Sequence, residues 1–327
     1  MRLALTREQQ EFAATLHELL TAAGVPAAAR AWAGGDHAPG LAIWAALARA
    51  GVTALTQDAG PAEMVVACEE LGHHPVPGPL AESLAAVPAL LGRLDSAPAR
   101  ELLTEISTGA AIATVAIPPQ VPLALDADIT QVVILLKSQE IFMARPESTG
   151  YSMDPSRRLF TVKPAELLAA DSRAASEGLR YGTLASAGLL LGAGRGLLDE
   201  AVRHARAREQ FGRPVGAFQA VKHLLADVLI ALEFARPLLY GAAVAVGAGR
   251  ATAARDVSAA RVACADAARL AARVALQVHG AIGYTRECDV SLWLAKVRAL
   301  SSVWGSQAEH RAVVLAALTE PETGPWN

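Results

Sequence analysis

Over roughly the first hundred residues, apolar positions recur at helical spacing and are cut by turn formers. Thr6 precedes a periodic segment through Ala22 and predicts a capped helix, Leu41–Gly51 predicts a second, and Ala62–Gly72 a third that Pro75, Pro77 and Pro79 close off. Between about Ala110 and Val162 the pattern changes to short β-branched runs, Ala111–Ile117, Ile129–Leu136, Ile141–Ala144 and Leu159–Val162, separated by Pro, Asp and Gly. These predict a small sheet. From about Gly178 the helical period returns and holds to Leu318, with breaks expected at Gly212–Gly216, Pro237, Gly247–Gly249 and Gly280–Gly283. Val221, Leu224, Leu225, Val228 and Leu232 share one helix face, and Ala260, Ala263, Ala267, Leu270, Val274 and Val278 share another. Small side chains on a packing face let helix axes approach closely, so residues 178–327 are expected to form a bundle of about four long helices. The expected fold is α+β: a helical domain over 1–105, a sheet domain over 106–177 and a helical bundle over 178–327.

Composition sharpens this picture. Hydrophobic residues make up 53% of 327 positions, and the mean hydropathy is +0.30. The longest apolar runs, Leu184–Gly194 and Pro237–Gly249, stop at Arg195 and Arg250, short of the roughly 20 residues that a membrane span needs. No membrane association is expected. Much of the apolarity is Ala in helical segments, which points to close helix packing or a large subunit interface. Charges at Arg2, Arg7 and Glu8 interrupt the apolar core that a secretory signal would need. Cys68, Cys264 and Cys288 form no CxxC and leave an odd count, so reduced thiols and a cytoplasmic location are expected. A net charge of −3 without a basic run offers nothing to nucleic acid.

Candidate chemistry is sparse. Gly192-Ala-Gly194-Arg-Gly196 fails as a dinucleotide loop, because the third glycine of GxGxxG would fall on Leu197; these glycines are expected at helix contacts. His73-His74 and Asp126-Ala-Asp128 are the only ligand-like clusters in the linear sequence, and neither supplies three or four donors, so no metal site is expected. Ser186 and Ser306 lack a nucleophile elbow, and Cys264 sits on a small-residue face where a buried thiol is expected. Two segments stand out. Arg208-Glu-Gln210-Phe211-Gly212-Arg-Pro-Val-Gly216-Ala-Phe218-Gln219 closes one long helix, turns and opens another; Gln277-Val-His-Gly280-Ala281-Ile-Gly283-Tyr284 does the same further on.

Together these segments resemble the two flavin-gripping motifs of the acyl-CoA dehydrogenase family. Trp44-Ala-Ala-Leu47 with Gly51, and Glu69-Glu-Leu-Gly72 followed by Pro77, resemble its N-terminal helices, so the likeness spans essentially the whole chain. The resemblance implies that Arg208, Gln210, Phe211, Phe218 and Gln219 meet the pyrophosphate and ring edge of an FAD held mainly by a neighbouring subunit. It also implies that Gln277, Gly280 and Ala281 run along its adenosine side. Arginine's fork of donors suits phosphate oxygens, and small residues suit close backbone approach. Ala281 departs from the family's second glycine, and Ala295-Lys296 stands where the family has Arg-Asp.

Three further departures run in one direction. The sheet lacks the family's Thr-Glu-Pro loop and Trp-Ile-Thr-Asn strand that hold a flavin in the subunit's own site. The family's catalytic Glu-Gly-Thr reads Trp304-Gly305-Ser306, and the alternative position for the base, early in the first bundle helix, reads Gly182-Thr183. Glu177 and Glu200 lie off both positions. A chain that keeps donors for a neighbour's flavin but loses its own base resembles the reduced subunit of the bacterial steroid side-chain acyl-CoA dehydrogenases, four-chain assemblies of two different subunits. The resemblance implies desaturation of an acyl-CoA, with a longer base-carrying partner and an electron-transfer flavoprotein as electron acceptor. A flavin-dependent monooxygenase on the same fold and a flavin-free structural pseudo-enzyme remain the alternatives.

Overall fold

The computed structural model describes residues 4–319, ordered helices, sheet, helices. Helix α1 (Arg7–Ala22) opens on Thr6, whose hydroxyl accepts from the Gln9 N–H while the Gln9 side chain accepts from the Thr6 N–H. Two donors that a first turn leaves open are thereby satisfied. Helices α2 (Val25–Ala33), α3 (Ala38–Arg49), α4 (Leu55–Asp58), α5 (Pro61–His73), α6 (Val87–Leu91) and α7 (Ala97–Ser107) follow, with a π turn over Glu82–Ala86 running into α6.

The sheet contains β1 (Ala113–Ala116), β2 (Ala124–Leu125), β3 (Val132–Lys137), β4 (Glu140–Gly150) and β5 (Leu159–Ala170), in the spatial order β1-β3-β4-β5-β2. Among the described residues of this sheet, β1 and β3 pair in parallel and the other strand pairs run antiparallel. Val115, Ile134 and Ile141 join the main core, while Ala116, Val133, Leu135 and Phe160 form a small cluster on the other face. Strands β4 and β5 run well past the predicted ends at Ala144 and Val162. Their outer halves pair with each other as an exposed ribbon, so no alternation of buried and exposed positions marks them, and local pairing overrides the helical look of Ala165–Ala170.

Helix α8 (Ser172–Ala207) starts six positions before the predicted Gly178, capped by the Asp171 carboxylate. After the hairpin of β6 (Glu209–Gln210) and β7 (Arg213–Pro214) come α9 (Gln219–Gly247), α10 (Ala253–His279), α11 (Val290–Leu300) and α12 (Gln307–Thr319). The described bundle thus has three long helices and two shorter ones rather than four long ones. The expected break at Pro237 does not occur: α9 continues through it. An interior proline costs about 3 kcal/mol, but Leu232, Ala235, Leu239, Tyr240, Ala242 and Ala243 are buried on both sides of it and hold the helix together. In consequence α9 is long and apolar enough, by length and composition, to cross a membrane, although the run Pro237–Gly249 alone is too short for one. Its inner face packs on the bundle, and Leu229, Ile230, Phe234 and Leu238 are exposed on the outside.

The glycines of α8 are the contact points expected of them. A Cβ on Gly192 would lie 1.8 Å from the Glu69 carbonyl oxygen, and one on Gly72 would lie 2.1 Å from that of Leu189. Helices α5 and α8 therefore touch backbone to backbone. The crossing is tied by charge as well. Arg195 donates to Glu69 at 2.9 Å and to Glu70 at 2.8 Å, and the Tyr240 hydroxyl donates to Glu69 at 2.5 Å. Both buried carboxylates are partnered, as burial of charge requires.

Candidate active site and flavin edge

The two positions where a base was sought meet each other in space. Trp304 is 0% exposed, and a Cβ on Gly182 would lie 2.1 Å from the indole ring, so the ring occupies the space a side chain at 182 would need. Backbone geometry holds it there. Trp304 has φ +61, a left-handed conformation uncommon for a bulky residue. Its N–H donates to the Gln120 carbonyl at 3.1 Å, and its carbonyl accepts from His310 Nε2 at 2.8 Å. Ser258 Oγ lies 3.2 Å from His310 Nδ1, so the imidazole is a fixed strut, and burial pushes it below the ordinary histidine range. The indole N–H has no hydrogen-bond partner among the described residues.

Beside Trp304 lies a cavity of about 510 Å³ between α8, α10 and α12, lined by Leu179, Arg180, Thr183, Val257 and Ala312 among others. Thr183 turns its hydroxyl back to the Leu179 carbonyl at 2.7 Å. Glu177 is ion-paired with Arg180 at 2.6 Å and Arg93 at 3.1 Å, and Glu200 with Arg203 at 2.6 Å. Glu309, at the cavity rim, accepts from the Ser306 N–H at 2.6 Å and caps α12.

At the far end of the bundle the motif residues face outward. Arg208 is the C-cap of α8, and Phe211 sits at the tip of the β6–β7 hairpin with φ +54 and 91% exposure. Gln210 bonds only the Glu209 carbonyl, and Phe218 carries the Arg213 guanidinium 4.1 Å above its ring. Gln219 begins α9; Gln277 lies in the last turn of α10, followed by Gly280 and Ala281, all exposed. Gly280 has φ +62 and ψ −139, a conformation closed to residues with a Cβ. His204 and His279 join the two motifs: their rings stack at 4.3 Å, which brings the ends of α8 and α10 together. Burial, then His279 and Arg208, push His204 below the usual range. Neither histidine was singled out in the sequence, although His204 lies one turn before Arg208 and His279 one residue before Gly280.

The remaining predicted positions have local roles. Asp126 and Asp128 both bind Arg158, at 3.4 and 3.0 Å, and burial pushes Asp126 up to about 6. Burial pushes the Cys68 thiol up to about 12 and Cys264 higher still. Lys296 is buried, donates to the Val76 carbonyl at 2.6 Å, and is pushed down to about 8 by burial.

Helices, sheet and helical bundle in this order, with a cavity beside Trp304 and outward-facing donors at the bundle end, form the architecture of the acyl-CoA dehydrogenases. Residues 172–319 match the family "Acyl-CoA dehydrogenase, C-terminal domain". Acyl-CoA dehydrogenase IpdE2 of Mycobacterium tuberculosis is 30% identical over 317 residues, 92% of this chain and 94% of that protein. Among solved structures, the ChsE4-ChsE5 complex from Mycobacterium tuberculosis has a TM-score of 0.81 at 21% identity, covering 98% of this chain and 99% of that one. A variant of the Tcur3481-Tcur3483 steroid ACAD has a TM-score of 0.84 at 20% identity over 96% of this chain and 98% of that one. The chain belongs to the acyl-CoA dehydrogenase family.

FAD is the cofactor this family implies. The residues present fit one edge of such a group: Arg208, Gln219 and Gln277 carry donors that no described residue engages, beside a backbone that only glycine supports.

Proposed function

We propose that this chain is the subunit of a cytoplasmic acyl-CoA dehydrogenase complex that completes a flavin site belonging to a longer partner and supplies no base of its own. The observation that carries this reading is the contact of Trp304 with Gly182: a carboxylate at 182 would collide with the indole, and at 304 the indole itself has taken its place. A positioned base contributes about 10²–10⁴ in rate, and neither position of this chain offers one. Glu177, Glu200 and Glu309 are each engaged elsewhere. Arg208, Gln210, Phe211, Phe218 and Gln219 would hold the pyrophosphate and ring edge, and Gln277, Gly280 and Ala281 the adenosine side. FAD, when bound, would take the hydride from the substrate Cβ while the partner's carboxylate removes the α-proton, and electrons would leave to an electron-transfer flavoprotein.

Support for two unlike subunits and for a steroid-derived acyl-CoA comes from the solved structures of similar fold, one described as a two-component complex and one as a steroid ACAD. The exposed apolar strip of Leu229, Ile230, Phe234 and Leu238 on α9 suits a subunit interface. The test is co-expression with a longer family member carrying the base, followed by flavin and desaturation assays. Expected are a colourless chain alone and a yellow complex with about one FAD per two chains, whose desaturation is lost on removing the partner's glutamate while FAD stays bound. Stoichiometric flavin in the chain alone would overturn the reading. Oxygen-dependent consumption of reduced flavin would favour a monooxygenase, and a flavin-free complex a structural pseudo-enzyme.

A further inference from the structure

The end of α5 gathers donors that the linear sequence keeps apart. Glu70 and His73 stand at i and i+3 in the last turn of α5, His74 follows as the extended C-cap whose N–H donates to the Glu70 carbonyl, and α1 brings His17 against them. One ligand-type atom from each of the four lies within 4.8 Å of the other three. The three imidazoles form a near-equilateral cluster, with ring centroids 4.7, 5.0 and 5.0 Å apart.

The hydrogen-bonding pattern is short of protons. His17 Nδ1 faces both Glu70 Oε2 at 3.0 Å and His74 Nε2 at 3.3 Å. A single N–H cannot serve both acceptors well, whereas a cation between the three satisfies all of them. Bonds of about 2.0–2.1 Å in a tetrahedron put neighbouring donors about 3.3–3.4 Å apart, close to both distances. His73 adds an independent sign. Its Nε2 is engaged by Asp199 Oδ2 at 2.8 Å, while its Nδ1 is buried with no hydrogen-bond partner among the described residues. A carboxylate behind one ring nitrogen, with the other nitrogen free, is how metal-binding histidines are oriented. Arg195 binds the other oxygen of Glu70 at 2.8 Å and so fixes that carboxylate too.

We propose that His17, Glu70, His73 and His74 form a binding site for a divalent transition-metal ion of the zinc class, with Asp199 and Arg195 as its outer supports. Three imidazoles and a carboxylate without thiolate suit Zn²⁺ and exclude a hard-cation cage of the calcium type, which needs six or more oxygens. Four protein ligands leave no open position, so the role is structural: the ion staples α1 to α5, and through Asp199 to α8. It lies apart from the Trp304 cavity and the flavin edge, and stands whether or not the proposed function does.

The experiment uses the full chain, alone or in its complex, stripped with a chelator and then given Zn²⁺ or Co²⁺ alone. Expected are about one Zn²⁺ retained per chain after desalting, a raised unfolding midpoint, and the visible absorption of tetrahedral Co²⁺. His17→Gln, chosen because His17 is 43% exposed and its replacement leaves no cavity, should weaken Zn²⁺ at least tenfold. Asp199→Asn should weaken it about 10–100-fold, both with flavin content unchanged. Equal metal uptake by wild type and His17→Gln, an octahedral Co²⁺ spectrum, or no uptake at all would overturn the proposal.

Discussion

The interior around Trp304 and the outer end of the bundle are built on opposite terms. Around Trp304 the space over Gly182 is filled: the indole occupies it, with the cavity opening beside it rather than over Gly182, its backbone is pinned by Gln120 and His310, and its one side-chain atom without a partner among the described residues is the indole nitrogen. At the bundle end shape is open: Arg208, Gln219 and Gln277 stand in solvent with side-chain donors that no described residue engages, and Phe211 is exposed with only the edge-on Phe218 ring beside it. The first region has taken up for its own stability the place where chemistry would need a carboxylate. The second keeps side-chain donors on Arg208, Gln219 and Gln277 that nothing in the described chain engages, and such groups are informative because folding alone gives no reason for them. A substitution in the first region should therefore be read in stability, and one in the second in ligand binding.

The largest expected effect is at Trp304. Trp304→Ala should cost about 3–5 kcal/mol of unfolding free energy, and Trp304→Glu more, since the carboxylate would lie unpaired in an apolar slot. Denaturant unfolding measures both. A Trp304→Glu variant that is stable and gains desaturase activity would show that the filled pocket is a working site and break the comparison. Lys296, buried on α11 with its ammonium on the Val76 carbonyl, should give the next largest signal. Its value in the folded chain, about 8, lies below the ordinary 10.5, so between these the unfolded chain binds a proton that the native chain does not. The contribution of Lys296 to stability should thus rise as pH climbs from 8 to 10.5, by about 3 kcal/mol at most, against the opposite contribution of the buried Cys68 and Cys264 thiols, which stay protonated in the folded chain. Lys296→Met should remove that favourable contribution, so that its stability falls relative to wild type as the pH rises through this range, as read by urea titrations at several pH values.

Gly182→Ala should cost about 1–3 kcal/mol, because the new methyl group must displace the indole; a thermal melt equal to that of wild type would mean the ring moves freely. The smallest effect on stability is expected at Arg208. Arg208→Ala should change unfolding by less than about 0.5 kcal/mol yet lower the flavin-to-protein absorbance ratio of the complex, as charge-assisted phosphate contacts contribute about 1.5–3 kcal/mol each. Full retention of FAD would make Arg208 a simple helix cap.

Much of the fold was legible because its signals are local. The Thr6 capping box, the prolines after α5 and the glycines of α8 act within a turn or two of themselves, and the contacts of Gly72, Gly188 and Gly192 follow from their lack of side chains. The outer halves of β4 and β5 and the passage of α9 through Pro237 were not legible, since pairing and burial supplied by distant residues outweigh what those segments prefer alone.

For the site, the sequence by itself determined which residue types stand at the motif positions: Arg208 and Gln277 present, a tryptophan and a glycine where carboxylates were sought. Only the tertiary structure decided that Trp304 and Gly182 share one space, that His204 and His279 clasp the two motifs, and that His17 meets Glu70, His73 and His74. The physical reason is common to all three. Side chains more than a hundred residues apart, or on separate helices, interact only through packing, and packing energies depend on distances that spacing along a chain does not contain.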